Sequence, residues 1–360
     1  MTVLPPDTMR GVVLTGFGGF DKLEYRTDLP VPRAGPGAVL IKVAAAGVNN
    51  TDINSRIGWY SPAVKGSTEL GGASGFAETQ GEGWSGAPFT FPRVQGMDAA
   101  GRIIAVGAGV SDTRIGERVL IEPAFRKADG SVDFFGSECD GAFAEYTVVP
   151  AVHAHAIDCA LGDIELASFP CAYATAENLL HRSAVKHGDR VLITGASGGV
   201  GSAAVQLAKR RGAIVTAMCG IAKHQAVAEI GADTVLDRNA ALACDAHDVV
   251  IDVVGGAGFA GLLDTLRPGG RYAVAGAIAG PLVELDLRTL YLKDLTLLGC
   301  TALDHGVFAG LVGHIERGEI KPLIGATFPL EKIADAQRLF LEKRHVGKIV
   351  LTIDPAATTG

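Results

Sequence analysis

Cysteine is scarce in this 360-residue chain. The six present, Cys139, Cys159, Cys171, Cys219, Cys244 and Cys300, form no Cys-x-x-Cys pair and no cluster. That spacing excludes both a disulfide framework and a thiolate zinc cage, and it suits a reducing compartment. Excess positive charge is also missing. The net charge is −7 and the isoelectric point is near 5.7, which argues against a lysine-rich surface for nucleic acid. The first residues, "MTVLPPDTMR", lack a basic stretch followed by an apolar run, so no secretory signal is expected. Gly, Asp and Lys interrupt every apolar window before it reaches the ~18 positions of a membrane span. A soluble cytoplasmic protein with a small-molecule substrate, and neither a nucleic-acid nor a membrane partner, is therefore expected. The 48% hydrophobic and 20% charged residues exclude disorder, and the length suits two domains.

Glycine is abundant, with 48 residues, as in folds with many tight strand–helix turns. Between residues 10 and 160 short β-type runs such as "VVLTGF", "AVLIKVAAAGV", "AAGRIIAVG" and "FAEYTVVP" alternate with turns. They predict an antiparallel, partly barrel-like domain. No periodicity survives between Ser61 and Pro92, where seven glycines fall; so long a loop is either a surface insertion or a lid over a substrate mouth. From about residue 165 strands and helices alternate. Strands are expected at 190–194, 213–218, 234–236, 248–254, 271–275 and 295–299. Helices are expected at 200–211, 223–230, 258–266, 287–293, about 304–318 and 331–343. This pattern reads as a parallel sheet covered on both faces. The final strand, "GKIVLTI", resembles the first section. The expected division is therefore 1–160 with a return over 315–360, and 161–314.

The stretch "VLITGASGGVGSAAVQLAKRRGA" (191–213) fits two motifs. Gly195-x-Ser197-x-Gly199 spells a hydrolase nucleophile elbow, and Ala196-x-Gly198-x-x-Gly201 spells a dinucleotide turn. The second reading explains more residues. Gly198 lets a pyrophosphate approach, Gly201 lets helix and strand backbones meet, and Ala203 and Ala204 pack closely. The helix N-terminus, with Ser197, Gly199 and Val200 around it, supplies N–H donors to phosphate. An elbow would need an acid and then a histidine downstream; Asp252 and His305 stand in that order, but nothing around them marks the role.

Cofactor choice is read one strand further on. An NAD site usually carries an acidic residue at the end of the second strand, about 20 residues past the turn. Here the strand runs into Cys219-Gly220 with no carboxylate, and Lys223 follows. A lysine at a helix start opposes the macrodipole unless an anion joins it. NADP(H) is the expected cofactor. The Lys209-Arg210-Arg211 run only suits the negative end of its helix.

Over nearly its whole length the chain resembles the medium-chain dehydrogenase/reductase superfamily, and within it the zinc-independent quinone and enoyl reductase branch. The resemblance is carried by "GVNNTDINSRIGWY" (47–60), "GMDAAGRIIAVGAGVSDTRIGERV" (96–119), "GAFAEYTVVP" (141–150), the glycine turn and "VGKIVLTI" (346–353). It implies an α/β fold in which a Rossmann doubly wound parallel sheet is joined to a GroES-like, mainly antiparallel β catalytic domain, and it implies a homodimer, through the edge strand near 295–299. Zinc enzymes of the superfamily carry a cysteine where this chain has Asn49, and Gly-His-Glu where it has Gly96-Met97-Asp98. Amide and thioether are poor zinc ligands, so no metal is expected.

The resemblance also implies site residues. Tyr60 corresponds to the proton donor of enoyl reductases; its alternative is an aromatic packed under the long loop. Asn49 and Asp52 lie at the former metal position, where they either orient nicotinamide or substrate or merely cap the turn. The quinone-reductase tyrosine two residues after the aspartate is replaced by Asn54. Thr175 and Gly276 are implied as contacts to the cofactor. Transfer of a hydride from NADPH to an activated C=C bond or a quinone is the expected reaction. Alternatives are a metal-free alcohol dehydrogenase or carbonyl reductase, and a non-catalytic NADPH-binding protein.

Overall fold

The computed structural model describes residues 5–357 other than 78, 80, 82, 84, 85, 87 and 128. Its first section contains β1 (Thr8–Leu14), β2 (Leu23–Pro30), β3 (Ala38–Val48), α1 (Asn50–Ile57), α2 (Thr68–Gly71), β4 (Arg93–Val94), β5 (Ala100–Val106), β6 (Arg118–Ile121), β7 (Ala124–Arg126), β8 (Val132–Phe134), β9 (Tyr146–Pro150) and β10 (Ala154–Ala156). Strands β1, β2 and β4 form one antiparallel sheet and β7 pairs with β8. The long strand β3 organises the rest. It pairs antiparallel with β5 and β9, and its alternate residues Val39, Ile41 and Val43 enter a core with Val12, Ile103, Val119, Ile349 and Leu351. Period-two alternation of this kind buries one face of a strand.

The second section contains α3 (Asp163–Leu166), α4 (Pro170–Arg182), β11 (Arg190–Ile193), α5 (Gly199–Arg210), β12 (Ile214–Cys219), α6 (His224–Glu229), β13 (Thr234–Asp237), β14 (His247–Asp252), α7 (Phe259–Asp264), β15 (Leu266–Val274), α8 (Leu287–Leu292), β16 (Thr296–Gly299) and α9 (Val307–Glu316). Its six strands are all parallel in the order β13-β12-β11-β14-β15-β16. This is the doubly wound α/β architecture, with a topological switch beside β11, where ligands bind beyond the carboxyl ends of the strands. Val191, Leu192 and Ile193 are all fully buried, because helices cover both faces. Residues β17 (Ile324–Pro329), α10 (Ile333–Glu342) and β18 (Lys348–Thr352) then return to the first section, where β18 pairs antiparallel with β3.

The expected strands and helices occur with their ends displaced by a few residues. Helix α4 is not among them. Its buried residues, Cys171, Ala172, Tyr173, Ala174, Ala176, Leu179 and Leu180, run round the helix, so no amphipathic stripe marks it. The described part of the 61–92 loop is packed rather than loose. Arg56, fully buried at its base, donates to Gly72 O, Gly18 O and Gln337 Oε1, each at 2.8 Å. Phe76 N donates to Ile57 O at 3.0 Å, and Thr68 N reaches across to Ile278 O, after β15, at 3.1 Å.

Candidate active site

The glycine turn lies between β11 and α5, at the switch of the parallel sheet. Gly195 adopts φ +57°, and Gly198 is the N-cap of α5. A Cβ on Gly201 would stand 2.2 Å from Gly195 O and 2.7 Å from Ala196 Cα, so only glycine allows this contact of helix and strand backbones. Gly198 differs: the sole atom near its Cβ position is Gly195 O at 3.4 Å. Space is therefore open over Gly198, where a pyrophosphate would approach the helix N-terminus. Ala196 is buried and donates its N–H to Met218 O at 3.0 Å, and Val200 packs against the core.

The hydrolase reading finds no partner set. Ser197 Oγ is met by the Lys223 ammonium at 3.3 Å. Fully buried Asp252 accepts from Thr194 Oγ1 and Tyr272 OH, each at 2.5 Å, and from the Val254 and Gly255 N–H groups. Its lone pairs hold the β14 turn and leave no role in a triad.

At the end of β12 three cations converge. Lys223 Nζ donates to Lys343 O at 2.5 Å. A Cβ on Gly220 would stand 2.5 Å from Arg238 Nη2, which places that guanidinium over the Cys219-Gly220 turn. Lys343 lies 4.1 Å over the Phe340 ring and its Nζ donates to Asn50 Oδ1 at 3.4 Å. Among the described residues none of the three is ion-paired. Burial, then the neighbouring Arg238, lowers the Lys223 pKa. Burial and Lys223 push Lys343 down to about 8. Burial and the charges of Lys223, Lys343 and Lys348 push His345 down to about 4, and its buried Nδ1 has no hydrogen-bond partner among the described residues. Unpaired, mutually repelling cations beside an open glycine turn fit a phosphorylated dinucleotide. By contrast Lys209, Arg210 and Arg211 are paired with Asp233, Glu319 and Glu177, consistent with their plain reading.

Where β3 ends and β18 begins, a buried polar cluster joins the two sections. Lys348 Nζ donates to Asp98 Oδ2 at 2.7 Å, Asn49 Oδ1 at 2.5 Å and Val48 O at 3.1 Å, using all three of its N–H groups. Asn49 Nδ2 donates to Asp98 Oδ2 at 2.8 Å, and Asp98 Oδ1 accepts the Cys171 N–H at 2.5 Å in the first turn of α4. The stem of Lys348 runs past Gly199, whose Cβ would meet Lys348 Cδ at 2.9 Å. Asp52 Oδ2 accepts the Asn49 N–H at 2.7 Å. Burial pushes Asp52 up to about 7, against the pull of that bond and of Lys348. Both amide ends of Asn49 are thus engaged within the protein, and Asp52 caps α1.

Tyr60 stands at the same place. Its phenol oxygen is hydrogen-bonded by the side chains of Thr51 and Asn54, and it lies within electrostatic reach of Cys171 and Asp52. Burial drives its pKa upward, while the two bonds oppose the rise. Thr175 lies one turn beyond Cys171, with Oγ1 donating to Cys171 O at 2.7 Å. Gly276 approaches the end of β14, where its Cβ would stand 2.9 Å from Val253 O.

The structure thus gathers Asn49, Asp52 and Tyr60 beside α4, and the glycine turn, Cys219, Gly220 and Lys223 along the strand ends. It adds Asp98, Cys171, Lys348, Asn54, Arg238 and Lys343. One signal in the sequence was available: Lys348 opens the apolar strand "KIVL", where a charge demands a buried partner. Among the described residues no three His, Cys, Asp or Glu side chains are grouped as a metal centre needs, and no helix is long and apolar enough to cross a membrane.

Residues 35–158 match the alcohol dehydrogenase GroES-like domain and residues 199–317 the zinc-binding dehydrogenase domain. A rat synaptic vesicle membrane protein VAT-1 homolog is 30% identical, the alignment covering 99% of this chain and 86% of that one. A quinone oxidoreductase of Lama guanicoe is 30% identical over 96% of this chain and 98% of its own. Among solved structures, a provisionally named alcohol dehydrogenase from Sinorhizobium meliloti 1021 superposes with a TM-score of 0.87 at 45% identity, covering 97% of this chain and 98% of that one. The chain belongs to the medium-chain dehydrogenase/reductase superfamily and is an oxidoreductase.

Proposed function

We propose that the protein reduces an activated C=C bond or a quinone with NADPH and without a metal ion. The observation that carries the cofactor choice is the unpaired trio Lys223, Arg238 and Lys343 at the end of β12, where an NAD enzyme usually places a carboxylate. With its phosphate held there, the cofactor would supply a hydride from its reduced nicotinamide. The chain must then hold the acceptor, exclude water and provide a proton. We assign that proton to Tyr60, whose phenol is hydrogen-bonded to Thr51 and Asn54 beside the oxygen that becomes charged. Asn49 and Asp52 act by position: they keep β3, α1 and Lys348 in register beside the turn. The identity to a quinone oxidoreductase along both full chains supports the acceptor class.

Removal of Lys223 or Lys343 by alanine is expected to raise the NADPH dissociation constant about tenfold or more and the NADH constant by less than about twofold, since only one cofactor offers the phosphate. Equal losses for both cofactors would refute the assignment. With a pKa near 8, Lys343 is protonated below that pH and loses its charge above it. NADPH affinity is therefore expected to fall as pH rises past about 8, and NADH affinity to stay level. Calorimetric titration of wild type and Lys343→Ala across pH 6.5–9 would read both effects.

A homodimer completes the proposal. Leu287, Tyr291 and Leu292 on α8 and Leu297 on the edge strand β16 are exposed beside Leu282 and Val283. Exposed apolar side chains this close in sequence to an edge strand call for cover. Sedimentation of the pure protein should give twice the 37.1 kDa chain mass, and a monomer at micromolar concentration would remove this part.

A further inference from the structure

The described part of the 61–92 insertion brings a sheltered hydroxyl, that of Thr68, to the neighbourhood of Tyr60. Thr68, on α2, is 2% exposed, and its Oγ1 donates to Asn54 Oδ1 at 3.0 Å. Asn50 Nδ2 donates to the same oxygen at 3.2 Å. With its carbonyl oxygen taken by two donors, the Asn54 amide has its N–H groups left for other partners, and Asn54 is hydrogen-bonded to the Tyr60 phenol. The Thr68 main-chain N–H meanwhile bonds to Ile278 O on the parallel-sheet side at 3.1 Å. One residue therefore touches both sections of the molecule and the amide beside the phenol.

We propose that Thr68 is a positioning residue for the reaction: it orients the Asn54 amide so that its N–H meets the Tyr60 oxygen, and it does so only while the insertion is docked on the parallel-sheet section. The inference rests on Tyr60 as proton donor. Its physical content is a difference between two states of the phenol. Before proton release the amide bond to a neutral oxygen is ordinary; after release it is a bond to an anion and strengthens. A donor held in place beforehand therefore stabilises the charge that develops, at no cost of reorganisation during the reaction. Without Thr68 only the longer bond from Asn50 opposes a turn of the amide, and a turned amide would present its oxygen and oppose that charge. The insertion is on this account part of the proton-donating apparatus, and docking and proton delivery are joined through a single side chain.

Thr68→Val tests this, because it keeps the branched shape and the main-chain bond to Ile278 while removing the hydroxyl. With NADPH and an enone, turnover is expected to fall about tenfold, the scale of one bond to a charged group, while KM for NADPH stays within about twofold. Thr68→Ser should restore most of the turnover. Asn54→Leu is the second variant, removing the amide itself. In a Tyr60→Phe background neither change should lower turnover further, since both act through the phenol. Equal losses in the wild-type and Tyr60→Phe backgrounds, or wild-type turnover in both single variants, would overturn the positioning role. Full turnover in Tyr60→Phe alone would be a different result: it would remove Tyr60 as donor, and this role with it.

Discussion

Lys348→Met is expected to destabilise the protein by about 3–5 kcal/mol, as loss of one partner from a buried charge pair does. Asp98 is fully buried and Lys348 is its only ion-pair partner among the described residues, at 2.7 Å. Methionine fills the stem of the lysine but leaves the carboxylate with the Asn49 amide and the Cys171 N–H alone. Two neutral donors do not offset the desolvation of a full charge. The same substitution unties Val48 O and Asn49 Oδ1, so the junction of β3, β18 and α4 loosens with it. Against a total stability of about 5–15 kcal/mol, such a loss lowers the urea midpoint far enough to read by circular dichroism. Adding Asp98→Asn to Lys348→Met should recover part of it, because the unpaired charge disappears. A loss under about 1 kcal/mol in the single variant, or none recovered in the double, would mean that the pair is not the tie described.

Tyr60→Phe is expected to cut turnover on an enone by about 100-fold, the lower range for removal of a general acid, with the NADPH dissociation constant unchanged. The side chain keeps its ring against Trp59, 5.6 Å between centroids, so the loss is confined to the hydroxyl. Thr51 and Asn54 then face a carbon and have nothing to stabilise. Stopped-flow measurement with NADPH in excess would separate the chemical step from cofactor binding. The same assay run with a saturated ketone decides between acceptors: consumption of the ketone alone would replace the proposed activity by that of a carbonyl reductase, the reading closest to the Sinorhizobium structure's name. Unchanged turnover in Tyr60→Phe would return the residue to its alternative as packing beneath the insertion.

The two substitutions probe parts of the site that differ in how visible they are in the sequence. The glycine turn is local. Gly195, Gly198 and Gly201 lie within seven residues: Gly195 and Gly201 answer demands that their neighbours set, such as the 2.2 Å between a Gly201 Cβ and Gly195 O, and Gly198 leaves space open. The alternation of β11 to β16 with helices is local too, as is the absence of an acid at Cys219-Gly220. Asp98 and Lys348 stand 250 positions apart, and Lys223 and Lys343 stand 120 apart. No spacing rule links such pairs; they meet because β18 returns to β3 after the whole parallel sheet has been built. Asn54 shows a finer case. Its position in the family resemblance left its role in doubt, yet in three dimensions it receives Thr68 and Asn50 and touches Tyr60.

From sequence alone one could derive the doubly wound sheet, the glycine turn between its first strand and helix and the cation that follows the second strand, because each depends on residues a few positions apart and on backbone sterics. Tertiary structure alone decided that Lys348 fills the space between Asn49 and Asp98, that three cations rather than one converge beyond β12, and that the insertion reaches Tyr60 through Thr68 and Asn54. Buried charges and hydrogen-bond donors are satisfied by whatever partner the folded chain brings near, and that partner is set by how distant segments pack.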